Sequence, residues 1–159
     1  MATFLRVLWL PAAVVALVLG WLWLDADMGW RGIYLPRVGI TLIVVGALLS
    51  SWCAAIFLFL GKGSPHPFVK KTKHLVTTGP YGVVRNPMMW GIGTLLVGLA
   101  LALGSVGLWF GFAFFLLFVR WFVANYEEPD MERRFGEDYR EYCRQTPRWW
   151  PLHRRKKPA

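Results

Sequence analysis

The chain has 159 residues, enough for one compact domain; 56% are hydrophobic and only 17% are charged. The apolar excess lies in long blocks, which excludes an ordinary soluble domain and indicates a polytopic all-α integral membrane protein. The formal charge of +9 is the usual mark of a nucleic-acid binder, but here the basic residues follow the apolar blocks, so topology and anionic lipid account for them better and no nucleic-acid partner is expected.

The first apolar block runs from about Phe4 to Leu24. It is too long for the core of a signal peptide, carries three tryptophans and precedes no clean small-x-small cleavage site, so it predicts a first transmembrane helix, bent at Pro11. Residues 25–37 read as a short polar loop. The second block, about Val38 to Leu60, is long enough to cross the hydrocarbon. Gly46, Ser50 and Ala54, and likewise Ala47, Ser51 and Ala55, recur every four residues and so mark narrow helix faces for close packing.

Residues 61–86 form a polar loop with Lys62, Lys70, Lys71, Lys73 and Arg85 and no acid. The third block, about Pro87 to Leu103, is barely long enough to span, and Gly91, Thr94 and Gly98 keep one side narrow. Gly91-Ile92-Gly93 follows no strand and opens no βαβ unit, so it is not read as a dinucleotide loop. After a tight uncharged turn at 104–107, the fourth block runs from about Leu108 to Tyr126. Its Gly107-x-x-x-Gly111 pattern predicts a close hairpin with the third helix. Arg120 near its far end has two readings, a functional group at membrane depth or a side chain snorkelling to the headgroups.

Seven of the nine acids lie between Glu127 and Glu141, interleaved with arginines. Met131, Phe135, Tyr139, Tyr142 and Cys143 recur at three- and four-residue steps, which predicts an amphipathic C-terminal helix over about 130–144. Arg133–Glu137 and Arg134–Asp138 are placed to pair on its polar face. Pro129 restricts Glu128 to an extended backbone, which predicts a break between the fourth helix and the tail helix. Pro147 ends the tail helix, Trp149 and Trp150 read as interface anchors, and residues 152–159 form a polybasic tail suited to anionic lipid headgroups.

Cys53 and Cys143 are not expected to form a disulfide, and His66, His74 and His153 lack metal-ligand spacing, so no metal is expected. The basic loop at 61–86 and the basic tail place both termini in the cytosol with four crossings, at the inner membrane if the chain is bacterial. Arg85, which opens the third helix, and Glu127, which closes the fourth, then emerge on the same side.

The stretch from Gly79 to Gly91 organises the rest. Pro80 and Pro87 lack backbone donors, and Pro87 suits the first turn of a helix. Arg85 and Asn86 then sit at a helix entrance, where orphan N–H groups favour an anionic ligand group. The rival reading, favoured on these residues alone, is that Arg85 reaches to lipid headgroups and the prolines shape a loop. With four crossings, Arg85, Asn86, Arg120, Glu127, Glu128 and Arg148 share one cytosolic rim. Carboxylates there suit an ammonium or ribose hydroxyls, and guanidinium forks suit a carboxylate. A zwitterionic nucleoside cofactor such as S-adenosyl-L-methionine, with an amphiphilic acceptor, matches both.

Gly79-Pro80-Tyr81, Arg85-Asn86-Pro87 with Gly91, Tyr126-Glu127-Glu128, Phe135-Gly136-x-x-Tyr139-x-x-Tyr142 and Pro147-Arg148 with Pro151 together resemble the isoprenylcysteine carboxyl methyltransferase family, in its bacterial-type members. The related phospholipid N-methyltransferases share the overall pattern. The likeness covers about Pro65 to Pro151; the first two helices match only in being apolar.

The resemblance implies an integral membrane methyltransferase that uses S-adenosyl-L-methionine without a soluble nucleotide-binding fold. By position it implies cofactor contacts at Leu75, Gly79, Tyr81, Arg85, Asn86, Pro87, Gly91, Glu127 and Glu128, with Arg85, Glu127 and Arg148 in the catalytic rim. The family's histidine is Asn86 here and its following aromatic is Met89. Asn86 can exchange hydrogen bonds but cannot take a proton near neutrality, so it is no general base. Carboxyl O-methylation of an isoprenylcysteine-like or other lipidated acceptor is the reaction expected. The alternatives are phospholipid-amine N-methylation and a non-catalytic membrane module that packs against a partner protein.

Overall fold

A computed structural model describes residues 16, 18–61 and 74–151. The expectations for Pro11, for the lysines between 62 and 73 and for the polybasic tail lie outside them. The described residues are helical, with no strand. In chain order they form α1 (18–28), α2 (Pro36–Phe59), a 3₁₀ turn (Gly79–Gly82), α3 (Pro87–Leu103), α4 (Val106–Phe122), a π turn (Val123–Glu127), α5 (Glu128–Phe135) and α6 (Glu137–Gln145). Two helices are long and apolar enough to cross a membrane: Pro36–Phe59, and the continuous Val106–Phe135. Pro87–Leu103 is a shorter apolar helix.

The tightest packing lies between α2 and α3, and glycine makes it possible. A Cβ on Gly46 would stand 2.6 Å from the Gly91 carbonyl oxygen, and one on Gly98 would stand 2.7 Å from the Ile43 amide. Backbone meets backbone here, which any side chain would prevent. Gly46→Val should therefore destabilise the protein by roughly 1–3 kcal/mol or more through overpacking. Gly20→Ala, where a Cβ meets nothing within 4 Å, should stay within about 0.5 kcal/mol. Thermal melts of the purified protein in one detergent compare the two; equal melting temperatures would refute the contact.

The hairpin of α3 with α4 forms, but Gly107 does not serve it. Gly107 faces α1 instead, where an added Cβ would crowd the Trp21 carbonyl at 3.0 Å and Asp25 at 3.2 Å. Its contact is polar as well as close. The buried Asp25 carboxylate accepts from the Gly107 amide (2.8 Å) and from the Ser105 hydroxyl, and Ser105 caps α4 by accepting from the Leu108 amide (3.0 Å). Gly93 of α3 faces Phe112 and Phe115 of α4, where an added Cβ would meet both rings at ordinary contact distance, 3.5 and 3.6 Å. Helical structure extends past Leu24 to residue 28, so the start of the expected 25–37 loop is helix, and Asp25 sits on it.

Two further expectations change in the tail. Glu128-Pro129 does not break the helix. The preceding turn widens to a π turn, with the Glu128 amide bonded to the Val123 carbonyl, and the helix continues to Phe135. One wide turn absorbs the proline that a regular helix could not hold. The break falls instead at Gly136 (φ 55°, ψ −124°), a conformation open to glycine. The single C-terminal helix over 130–144 is thus two, α5 and α6. Residues four apart across Gly136 no longer share one helix face, and the ion pairs seen run elsewhere than Arg133–Glu137 and Arg134–Asp138. Arg133 and Arg134 both approach Asp130 (3.7 and 3.6 Å), Arg140 pairs with Glu132 and Arg144 with Glu137 (2.7 Å each).

Candidate functional site

At one end of the bundle, Cys53 and Ile56 of α2 pack with Val76 and Tyr81, and Leu49, Phe57 and Met88 close around them. Phe57 meets the Tyr81 ring edge-on at 5.0 Å. This cluster fixes the 3₁₀ turn before α3. Gly79 starts that turn at φ 61°, beside Ile56, and Leu75 is half-buried just before it. Burial pushes the Tyr81 phenol far above its usual range, and the nearby Cys53 and Glu127 add to that.

Helix α3 opens on Asn86 (φ −124°, ψ 55°), outside the helical region, with Pro87 at its first position. Both are buried. Alongside this entrance the tail runs as a strap. The Arg85 amide donates to the Pro147 carbonyl (2.9 Å), Asn86 Nδ2 to the Arg148 carbonyl (3.3 Å) and Trp90 Nε1 to the Trp149 carbonyl (3.0 Å). The Trp150 ring meets the Trp90 ring edge-on at 5.0 Å. Tyr142 of α6 donates its hydroxyl to the Tyr81 carbonyl at 2.7 Å, and burial raises the Tyr142 phenol against the pull of Arg85. Trp149 and Trp150, expected as interface anchors, are therefore placed on the α3 entrance.

The π turn brings the two glutamates to the same place with different surroundings. Glu128 is clamped: its Oε1 takes Arg85 Nη1 (2.9 Å) and Arg148 Nε (2.8 Å), and its Oε2 takes Arg148 Nη2. The Arg148–Glu128 pair is two-pronged, the geometry that guanidinium and carboxylate favour. Arg85 Nη1 also donates to the Cys143 thiol at 2.7 Å, and both cysteines are free. Glu127 is left over. Its Oε2 is buried with no hydrogen-bond partner among the described residues, and the same holds for Arg85 Nε. A buried carboxylate oxygen and a buried guanidinium N–H left without partners in one cluster, with the Tyr81 hydroxyl as a third, are costly unless a ligand completes them.

The structure thus brings together Tyr81, Arg85, Asn86, Pro87, Glu127, Glu128 and Arg148, with Leu75 and Gly79 on the segment leading in. Gly91 lies one turn further along α3, in the α2–α3 contact, where an added Cβ would collide with the Ser50 hydroxyl. Arg120 is exposed on α4, about two turns before Glu127. Tyr142, Cys143, Pro147 and Trp90 also belong to the assembly. Tyr142 and Pro147 show in the sequence as motif positions without a stated role, and Cys143 only as part of an apolar face.

No curated protein and no solved structure matches the chain significantly. A sequence profile of the phospholipid methyltransferase family matches residues 35–138, from the start of α2 through the π turn and α5 into α6. That match spans well over half of the chain and takes in Arg85, Glu127 and Glu128, and on it the protein belongs to the phospholipid methyltransferase family.

Proposed function

We propose that the protein transfers a methyl group from S-adenosyl-L-methionine to a lipid or lipidated acceptor at the membrane surface. The observation that carries this reading is the set of unsatisfied buried atoms, Glu127 Oε2, Arg85 Nε and the Tyr81 hydroxyl, in a family of membrane methyltransferases. The donor set fits the cofactor: Glu127 would take its ammonium or a ribose hydroxyl, and Arg85 its carboxylate. Leu75, Gly79, Tyr81 and Asn86 would line the same pocket, while Pro87 and Gly91 hold α3 in place behind it. The cofactor, when bound, supplies a methyl group on a sulfonium, so the chain's own task is positioning and charge control.

Two acceptors are consistent with these residues. A lipidated carboxylate, such as isoprenylcysteine, needs a free guanidinium. Arg148 is the candidate, since its side chain is 39% exposed against 14% for Arg85 and can turn away from Glu128. A phospholipid amine needs a base instead, and Glu127 is the carboxylate of the cluster with an unpaired oxygen. The family description favours the amine, and the Arg85-to-Arg148 motif set favours the carboxylate. Four crossings, cytosolic termini and a basic tail resting on anionic lipid complete the reading.

Membranes containing the protein, incubated with methyl-labelled cofactor, separate these readings. A label released as methanol by mild base marks a carboxyl ester. A base-stable label that migrates with phospholipid marks an amine. No label above that of Glu127→Ala membranes would leave a non-catalytic module as the better description.

A further inference from the structure

We propose that Tyr142 and Cys143, neighbours on α6, are positioning residues that aim two donors of the cofactor pocket, the Tyr81 hydroxyl and Arg85 Nε. Both lie beyond the matched family segment, which ends at residue 138, and their role rests on the methyl-transfer reading. Each holds a pocket residue by one polar group and leaves another bare. Tyr142 is buried and donates its hydroxyl to the Tyr81 carbonyl at 2.7 Å. Cys143 is half-buried, and its sulfur accepts from Arg85 Nη1 at 2.7 Å. The groups left over, the Tyr81 hydroxyl and Arg85 Nε, are buried with no hydrogen-bond partner among the described residues. Unpartnered buried donors cost stability, so one helix that fixes two such residues serves a ligand rather than the fold.

The sulfur decides which donor Arg85 keeps. A guanidinium is planar and carries five N–H groups, two of them on Nη1. Arg85 Nη1 meets Glu128 Oε1 at 2.9 Å and the Cys143 sulfur at 2.7 Å, so both of its hydrogens have acceptors. With Nη1 held on two sides the plane is fixed, and with it the direction of the Nε–H bond. Glu128 takes the neighbouring Arg148 two-pronged, through Nε and Nη2. Carboxylates favour that fork, and the same fork on Arg85 would consume its Nε. Cys143 holds Arg85 out of it and leaves Nε for a ligand carboxylate.

Tyr142 acts on the turn. Tyr81 lies in the single 3₁₀ turn Gly79–Gly82, whose amides reach their carbonyls at 3.2 Å (Tyr81 to Thr78) and 3.1 Å (Val83 to Pro80). Such a short segment holds itself weakly. The bond from Tyr142 has the ideal length for a hydroxyl donor and ties the turn to α6. Phe57 meets the Tyr81 ring edge-on, so backbone and ring are both fixed behind the bare hydroxyl.

Isothermal titration of the full-length protein with S-adenosylhomocysteine and with methylthioadenosine separates aiming from folding, because methylthioadenosine lacks the amino-acid ammonium and carboxylate. Cys143→Ala should weaken S-adenosylhomocysteine about tenfold and leave methylthioadenosine unchanged. Cys143→Ser, whose hydroxyl also accepts, should stay within about threefold of the wild type. Tyr142→Phe should weaken S-adenosylhomocysteine about tenfold, yet cost nothing further in a Tyr81→Phe background, where the donor it aims is gone. Equal loss of both ligands in Cys143→Ala, no loss of either, a serine variant as weak as alanine, or additive effects of the two tyrosine changes would overturn these roles. Wild-type protein that binds neither ligand overturns the methyl-transfer reading along with them; binding without these splits overturns the positioning roles alone.

Discussion

Glu127→Gln should weaken binding of S-adenosylhomocysteine by roughly 10- to 150-fold without weakening the fold. The two effects have one cause. Among the described residues Oε2 of Glu127 is buried without a hydrogen-bond partner, so the folded state already carries its desolvation cost. The neutral amide of the same shape is cheaper to bury than a carboxylate, and the melting temperature should hold or rise. A ligand ammonium or ribose hydroxyl, by contrast, loses a charge-assisted hydrogen bond worth about 1.5–3 kcal/mol, or roughly 10- to 150-fold in affinity. Opposite signs on stability and binding mark a residue kept for function, since a structural residue loses both together. Isothermal titration and thermal melts on the same preparation measure the pair. Unchanged affinity in the glutamine variant would remove Glu127 from the cofactor pocket.

The contrast between the two glutamates was legible only in part. Tyr126-Glu127-Glu128 stands out as a motif, and the basic residues place it on the same side as Arg85. Nothing in the linear pattern says that one carboxylate is saturated and its neighbour left open. That difference comes from the π turn at Val123–Glu127, which lets the helix run on through Pro129. The local rule, that a residue before proline leaves the helix, lost to the continuity of an apolar helix that gained more by widening a turn than by ending. Gly136 was the better breaker because its backbone adopts φ 55° at no steric cost. The small-residue faces were legible as contacts but not as partners. Gly46 and Gly98 do pack closely, in the α2–α3 interface, whereas Gly107 meets Asp25 and Trp21 rather than α3. Spacing reveals that a helix has a narrow face; it carries no information about which neighbour fills it.

Glu128→Gln should release the strap from the α3 entrance. Glu128 is the common partner of Arg85 and Arg148, and its side chain is 16% exposed. Breaking a largely buried pair costs about 3–5 kcal/mol because the remaining charge stays desolvated. Arg148 is 39% exposed and can recover water, which brings the cost below that range, to roughly 2–3 kcal/mol. Glu141→Gln, which removes only exposed bonds from Arg144 and Gln145, should leave the melting temperature nearly unchanged. The loss at Glu128 should be local. Hydrogen exchange at the Arg85 amide, which is held by the Pro147 carbonyl, should accelerate about 30-fold or more, while amides in the middle of α2 and α3 keep their protection. Glu128→Gln combined with Arg148→Ala should cost less than the sum of the two, because the second change removes a charge the first has orphaned. Full additivity, or an Arg85 amide that exchanges no faster, would mean that the backbone bonds at Pro147, Arg148 and Trp149 hold the strap unaided. Glu128 would then be free to serve the cofactor beside Glu127, and Arg148 free to meet an acceptor carboxylate without first giving up a partner.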